Sequence, residues 1–288
     1  MINHFITRHV LEPKLAKYLD IRNSATRKNM GSSYAIDLVK KYIEEEKRES
    51  SEFYVLKLDI SKYFYSIDHE VLKDLLKDKL SDVEYKFIET IIDSTDYDYV
   101  NEKIIKLKEQ EIKKYPNRSD EINNLPLYNK GKGLAIGMMT IQFLAIFYLY
   151  KLLNYIIHKL KIKHLVVYMD DYILMHKDKD YLKKCLDDIT RILKEEYKLD
   201  INKKKTCISS IKQGFVFLEY RFRVDDNKTI IKLRNDTIGK VKKNIKKNKY
   251  MFERNKISFQ TMFASYNNYR SAFRYDKYRI SNMLDRLG

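Results

Sequence analysis

Apolar positions recur along this chain in two periods, and the switches between them mark its elements. Residues 1–20 and 34–48 repeat at helical spacing, on either side of the polar, basic stretch "IRNSATRKNMGSS". "EFYVLKLD" (52–59) alternates as a strand, with Tyr54, Leu56 and Leu58 on one face and Lys57 and Asp59 on the other. Helical spacing returns in "SIDHEVLKDLLKDKL", with Asp68 as the expected N-cap, and again over about 82–93. Residues 96–132 mix charges and carry Pro116 and Pro126, which predicts a partly helical arm facing solvent. An apolar helix is predicted over about 138–160, then a hairpin at 164–177 and a helix at 178–197. Strands follow at "TCISS" and "GFVFLEYRFRV", then a turn "DDNK", a strand "TIIKLR", and helices from Lys240 onward. The order is that of a split β-α-β-β-α-β unit, an α+β fold with helices on one face of the sheet. In that arrangement the 164–177 hairpin is central, and the 52–59 strand lies beside it.

Composition adds a partner class. The chain has 288 residues and a net charge of +17, from 57 Lys+Arg against 40 Asp+Glu. Such an excess points to a polyanion, either nucleic acid or an anionic membrane surface. Its 24 Tyr and 13 Phe supply faces for stacking as well as for a core. Residues 229–288 hold 15 Lys+Arg and 4 Asp+Glu, the sharpest composition shift in the chain and the expected start of a last domain. Cys185 and Cys207 make no disulfide framework or metal-ligand spacing, and neither end reads as a signal peptide, which fits a reducing, cytoplasmic setting. "GLAIGMMTIQFLAIFYLY" (133–150) is uncharged and of nearly membrane-spanning length. Thr140, Gln142, Gly133 and Gly137 interrupt it, so a buried core helix is expected, with no membrane partner.

The chemistry concentrates in "HLVVYMDDYILMHK" (164–177), where Asp170 and Asp171 join two apolar runs without a favourable turn residue. Asp pairs also occur at 187–188 in a helix and at 225–226 in a turn, where a solvated surface explains them. The pair at 170–171 is clamped between strands, and Asp59 ends the neighbouring strand. Three carboxylates forced together raise one another's pKa unless a cation intervenes. Mg²⁺ prefers oxygen ligands, and a pair of such ions serves phosphoryl transfer. The turn that carries the pair is expected to be strained.

"YMDD" (168–171), with "LKLDISKYFYSID" (56–68) upstream, resembles the palm of a reverse transcriptase. "GLAIGMMTIQ" (133–142), "LDINKKKT" (199–206), "GFVFLEYRF" (214–222) and "SATRKNMGSSYAI" (24–36) resemble further motifs of that family, in family order. The spelling is similar to bacterial enzymes of the diversity-generating retroelement and group II intron type, with defence-associated reverse transcriptases as near relatives. The resemblance implies a right-hand polymerase with reduced fingers (1–52), a palm (53–228) and a basic helical thumb (229–288). It makes Asp59, Asp170 and Asp171 the ligands of two Mg²⁺ ions, with Mn²⁺ as a substitute. Phe64 would be the steric gate against ribonucleotides, Arg27 and Lys28 would meet the triphosphate, and Gln142 would lie near the nascent base pair. Lys205 would protonate departing pyrophosphate. Leu218 and Tyr220 would approach the primer, and Lys242, Lys243, Lys246 and Lys247 would follow duplex phosphates.

The departures from the family pattern bear on priming. Ala135 and Ile141 replace the family's Pro and Ser, and Glu219 stands where a Gly lets the primer backbone approach. Relatives carry further finger residues ahead of the point matched by Met1. The fingers are therefore expected to be minimal, completed by a partner protein, or not wholly within this sequence. The expected partners are an RNA template, a DNA or RNA primer and dNTPs, with a structured noncoding RNA as a further candidate. Two rival readings stand beside templated synthesis: an untemplated or protein-primed polymerase, and a non-catalytic RNA-binding scaffold.

Overall fold

Residues 2–276 and 281–282 are described by a computed structural model. Met1, at the start of the expected fingers, and residues 277–280 and 283–288 of the expected thumb lie outside the described residues. The chain divides into two compact units, Met1–Tyr42 with Tyr54–Ile208, and Ile43–Phe53 with Ser209–Gly288.

The first unit is organised by a sheet in the order β2-β3-β1-β4. Its strands are β1 (Tyr54–Asp59), β2 (His164–Tyr168), β3 (Asp171–His176) and β4 (Cys207–Ser210), and the chain passes into the second unit within β4. The hairpin is therefore not central as expected: β1 and β3 are the inner strands, and β2 lies at the edge. That edge is covered by the loop after the first helices. Ser24 N–H donates to Val167 O (3.1 Å), Val167 N–H donates to Arg22 O (2.9 Å), and a parallel bridge joins Asn23 to Val167. A backbone partner of this kind shields a strand edge that would otherwise invite pairing. The one-sided alternation expected of β1 also fails. Val55 is as fully buried as Leu56 and Leu58, so both faces of the strand are covered.

Helices α1 (Ile2–Ile6) and α2 (Glu12–Leu15) are joined by a wider turn at Thr7–Leu11, and α3 (Ser32–Glu49) crosses the division between units. After β1 come α4 (Tyr63–Ser66), α5 (His69–Leu76) and α6 (Asp82–Ile92). Asp68 caps α5 by accepting from Val71 N–H, as its position predicts. The arm consists of α7 (Asp98–Lys114) and α8 (Ser119–Asn123), and its residues are mostly exposed. The apolar segment forms α9 (Met139–Tyr148) and α10 (Tyr150–His158). Residues 139–158 are long and apolar enough to cross a membrane, yet they are largely buried within the protein, where α9 forms the middle of the core. Helix α11 (Lys179–Tyr197) packs on β1 and β3.

The second unit pairs β5 (Phe215–Phe217), β6 (Tyr220–Asp225) and β7 (Lys228–Leu233) antiparallel. "GFVFLEYRFRV" is thus two strands rather than one, broken by a turn at Leu218–Glu219 where Leu218 adopts φ +52°. Gly214 is obligatory here, because φ is +78° and a Cβ would meet Phe222 O at 2.4 Å. The β6–β7 hairpin spans 228/229, the expected start of the last domain. Helices α12 (Asn235–Glu253) and α13 (Phe259–Ala272) complete the unit. Along α12, Thr237, Ile238, Val241 and Ile245 are buried, at the spacing of one helical face.

Candidate active site

Asp59 closes β1, Asp171 opens β3, and the register makes them direct cross-strand partners. Partners so placed have Cβ atoms about 5 Å apart, and like charges there destabilise a sheet. Asp59 is only 5% exposed. Asp170 sits in the tight turn before Asp171, and its carbonyl accepts from Ile60 N–H (3.4 Å). Met169, the other turn residue, is held at φ +56°. A bulky side chain in that left-handed region costs about 1–2 kcal/mol, so the expected strain is present. Sheet register and turn together converge three carboxylates from two distant segments.

Their electrostatics are unfavourable as they stand. Burial pushes the Asp170 carboxyl up to about 6; a backbone hydrogen bond opposes this, while the charges of Asp171 and Asp59 add to it. Burial likewise raises Asp171, against the pull of Lys57. Asp171 Oδ1 is buried without a hydrogen-bond donor, and Lys57 Nζ at 3.7 Å is beyond hydrogen-bond range. Lys205 Nζ lies 3.2 Å from Asp59 Oδ2, and Asp59 N–H donates to Thr206 Oγ1. Two lysines face three carboxylates, and Asp171 Oδ1 has only the distant Lys57 ammonium and no hydrogen-bond donor. Hard oxygen donors in this state fit divalent cations of the Mg²⁺ class.

The segment after Asp59 carries Phe64 into α4, half-buried against the core. Leu134 N–H donates to Phe64 O (2.7 Å), which ties the gate candidate to the loop ahead of α9. Gln142 lies in the first turn of α9, half-buried between the fully buried Ile141 and Phe143. Arg27 and Lys28 line a cavity of about 330 Å³ with Arg8, Glu12, Thr26 and Met139. Arg27 is anchored there by donating to Asp20 O (2.7 Å). Thr26 is held at φ +53°, and its buried hydroxyl has no partner. The bridge between Asn23 and Val167 is parallel, so the chain leading to Arg27 runs toward the turn that carries Asp170. Arg8 was not foreseen; it reaches the cavity only through the fold, and nothing in its local sequence marks it.

In the second unit, Leu218 is half-buried in the β5–β6 turn. Tyr220 is 2% exposed, with Tyr275 edge-on at 5.7 Å between ring centres. Its ring is therefore part of the core and is not presented to a primer as expected. The Glu219 carboxylate accepts from the Thr237 hydroxyl, so this departure from the motif is engaged within the unit. Lys242, Lys243, Lys246 and Lys247 are all exposed on α12, opposite its buried stripe.

A family model described as reverse transcriptase (RNA-dependent DNA polymerase) matches residues 9–261. No curated protein matches the sequence. Among solved structures, the fold is similar to apo telomerase from Candida tropicalis truncated from its C-terminal domain, with a TM-score of 0.52 and 14% identity over 80% of this chain and 47% of that one. It is similar also to telomerase from Candida albicans in complex with a TWJ fragment of telomeric RNA, with a TM-score of 0.50 and 12% identity over 99% and 48% of the two chains. Apo telomerase from Candida tropicalis gives 0.50 and 14% over 98% and 53%. The chain thus spans about half the length of these telomerases, and the likeness is one of fold, a polymerase palm.

Proposed function

The chain belongs to the reverse transcriptase family, and from that premise we propose that it is an RNA-directed DNA polymerase that extends a primer with dNTPs. The reaction is in-line attack of the primer 3′-oxygen on the dNTP α-phosphorus, with pyrophosphate leaving. One observation carries this reading: Asp59 and Asp171 are cross-strand partners beside Asp170, and Asp171 Oδ1 is buried without a donor. Asp59, Asp170 and Asp171 would hold two divalent cations, Mg²⁺ or in its place Mn²⁺, which when bound polarise the reacting oxygens. Lys205, beside Asp59, delivers a proton to the departing pyrophosphate. Arg27 and Lys28, joined by Arg8 across their cavity, neutralise the triphosphate. Phe64 excludes a 2′-hydroxyl and Gln142 lies against the new base pair. The backbone of the β5–β6 turn, from Leu218 to the start of β6 at Tyr220, approaches the primer, and the α12 lysines follow the phosphates of the template–primer duplex.

The motif spellings support a place among bacterial or phage enzymes of retroelement or defence type, acting in the cytoplasm, with a structured RNA or an accessory subunit as further partners. The test is to supply a defined RNA template, an annealed primer and four dNTPs, and to sequence the product. A complement of the template is expected. DNA unrelated to the template would replace this reading with untemplated or protein-primed synthesis, and RNA binding without any DNA product would leave a scaffold.

A further inference from the structure

A second convergence of ligating atoms lies at the root of the inserted arm, on elements other than those that carry the acidic trio. His69 opens α5, and Asp93 and Asp96 lie in the turn that follows α6. The His69 ring is 1% exposed. Its Nε2 lies 2.7 Å from Gly133 O, which can only accept, so this nitrogen carries the hydrogen. Nδ1 then faces Asp93 Oδ1 at 3.2 Å and Asp96 Oδ2 at 3.4 Å, with no hydrogen-bond partner of its own. Three electron-pair donors thus crowd one space, a repulsion that a proton on Nδ1 or a metal ion would relieve.

The outer atoms of the same residues are anchored. Asp93 Oδ2 lies 2.9 Å from Lys73 Nζ, Asp96 Oδ1 accepts from Gly131 N–H (2.8 Å), and His69 Nε2–H is held by Gly133. Partners that fix the far atoms of ligands in this way are the usual second layer of a metal site. The two separations from Nδ1, 3.2 and 3.4 Å, fit: zinc bonds of about 2.0–2.2 Å at tetrahedral angles separate ligand atoms by about 3.3–3.6 Å. All three candidate atoms lie within 4.8 Å of one another. Charge agrees as well. Lys73 is shared among Asp93, Glu70 and Glu89, so with Asp96 four carboxylates face one lysine. A proton on His69 would leave the group at −2, and a divalent ion leaves it at −1.

We propose that His69 Nδ1, Asp93 and Asp96 bind a divalent transition-metal ion of the zinc class, separate from the ions of the acidic trio. The ion ties the residue before the arm, Asp96, to the Gly131–Gly133 loop that ends it. It thereby fixes the base of the arm and the entry to α9. The site is structural, and its existence does not depend on the polymerase reading.

The test uses the full chain carrying Asp170→Ala and Asp171→Ala, which removes the competing acidic trio, after stripping with chelator. Zinc is then titrated against a chromophoric competitor, and bound metal is counted by mass spectrometry. One zinc per chain is expected, with a rise in melting temperature on binding. Asp96→Asn, whose amide oxygen can keep the Gly131 contact, and His69→Gln should each weaken zinc binding at least about 100-fold and abolish that rise. No zinc retained by the parent, or equal retention by parent and Asp96→Asn, would overturn the site and leave a protonated His69 between two carboxylates.

Discussion

Asp170 carries the clearest consequence at the scale of single residues. Its carboxyl is raised to about 6 in the folded chain, above the value of about 3.9 for an unfolded one, because ionising it is penalised by burial and by its acidic neighbours. A raised acid favours the folded state at low pH, where it is protonated. That advantage is fully present below about pH 4 and is lost as pH rises through about 6. Without divalent metal, the wild type should therefore lose up to about 3 kcal/mol relative to Asp170→Asn between pH 4 and 7. Melting curves of the two proteins in chelator check this, and parallel curves across that range would refute it. Adding Mn²⁺ at pH 7 should narrow the gap, since the cation takes over the charge. Phe64 makes a second prediction. Phe64→Ala should raise ribonucleotide incorporation relative to dNTP by at least about tenfold, measured in single-nucleotide extension with rNTP and dNTP in parallel. The convergence of the acidic trio was legible because Asp59 and Asp171 sit at strand ends and Asp170 in the turn between two recognisable apolar runs. Arg8 was not, and neither was the grouping of His69 with Asp93 and Asp96, because no local pattern links segments that only the folded chain brings together.

Among the elements, α12 carries a buried stripe on one side and, on the other, the lysines proposed to bind nucleic acid. Ile245 is fully buried in the stripe, while Lys242, Lys243, Lys246 and Lys247 face outward. Ile245→Ala should cost about 2–4 kcal/mol in denaturant unfolding. Replacing Lys242 and Lys246 together by Ala should leave unfolding unchanged within about 0.5 kcal/mol. The double variant should bind a template–primer duplex more weakly at every sequence and lower the salt-dependence slope by about 2. An unchanged slope would remove α12 from the nucleic-acid interface. The helix and its face were readable from spacing and charge. The β5–β6 turn was not, because Leu218 and Glu219 carry no turn signature and the left-handed backbone at Leu218 is imposed by pairing on either side. The edge position of β2 was equally hidden, since the loop at Arg22–Ser24 that covers it is polar and offers no strand periodicity of its own.

For the whole molecule, the chain is two compact units, and the reading rests on a site assembled entirely within the first. Fold class was legible because six motifs recur in order and because the sequence of strands and helices is that of a split β-α-β-β-α-β unit. Where the units divide was not. The strands 215–233 are short, and the hydrogen bonds that group them with residues 43–53, such as the Thr229 hydroxyl to Glu44 Oε1, join segments remote in sequence. The net charge of +17 fits the sequence-tolerant, salt-sensitive grip on nucleic acid that we propose, and the acidic trio is the proposed source of the chemistry. The two roles separate in one experiment, primer extension on an RNA template with Mg²⁺, comparing wild type with Asp171→Asn at equal template occupancy. The variant is expected to bind the duplex as well as wild type and to lose at least about 10³-fold in the rate of dNTP incorporation. Incorporation at the wild-type rate by Asp171→Asn would contradict the assignment of these carboxylates as the catalytic centre.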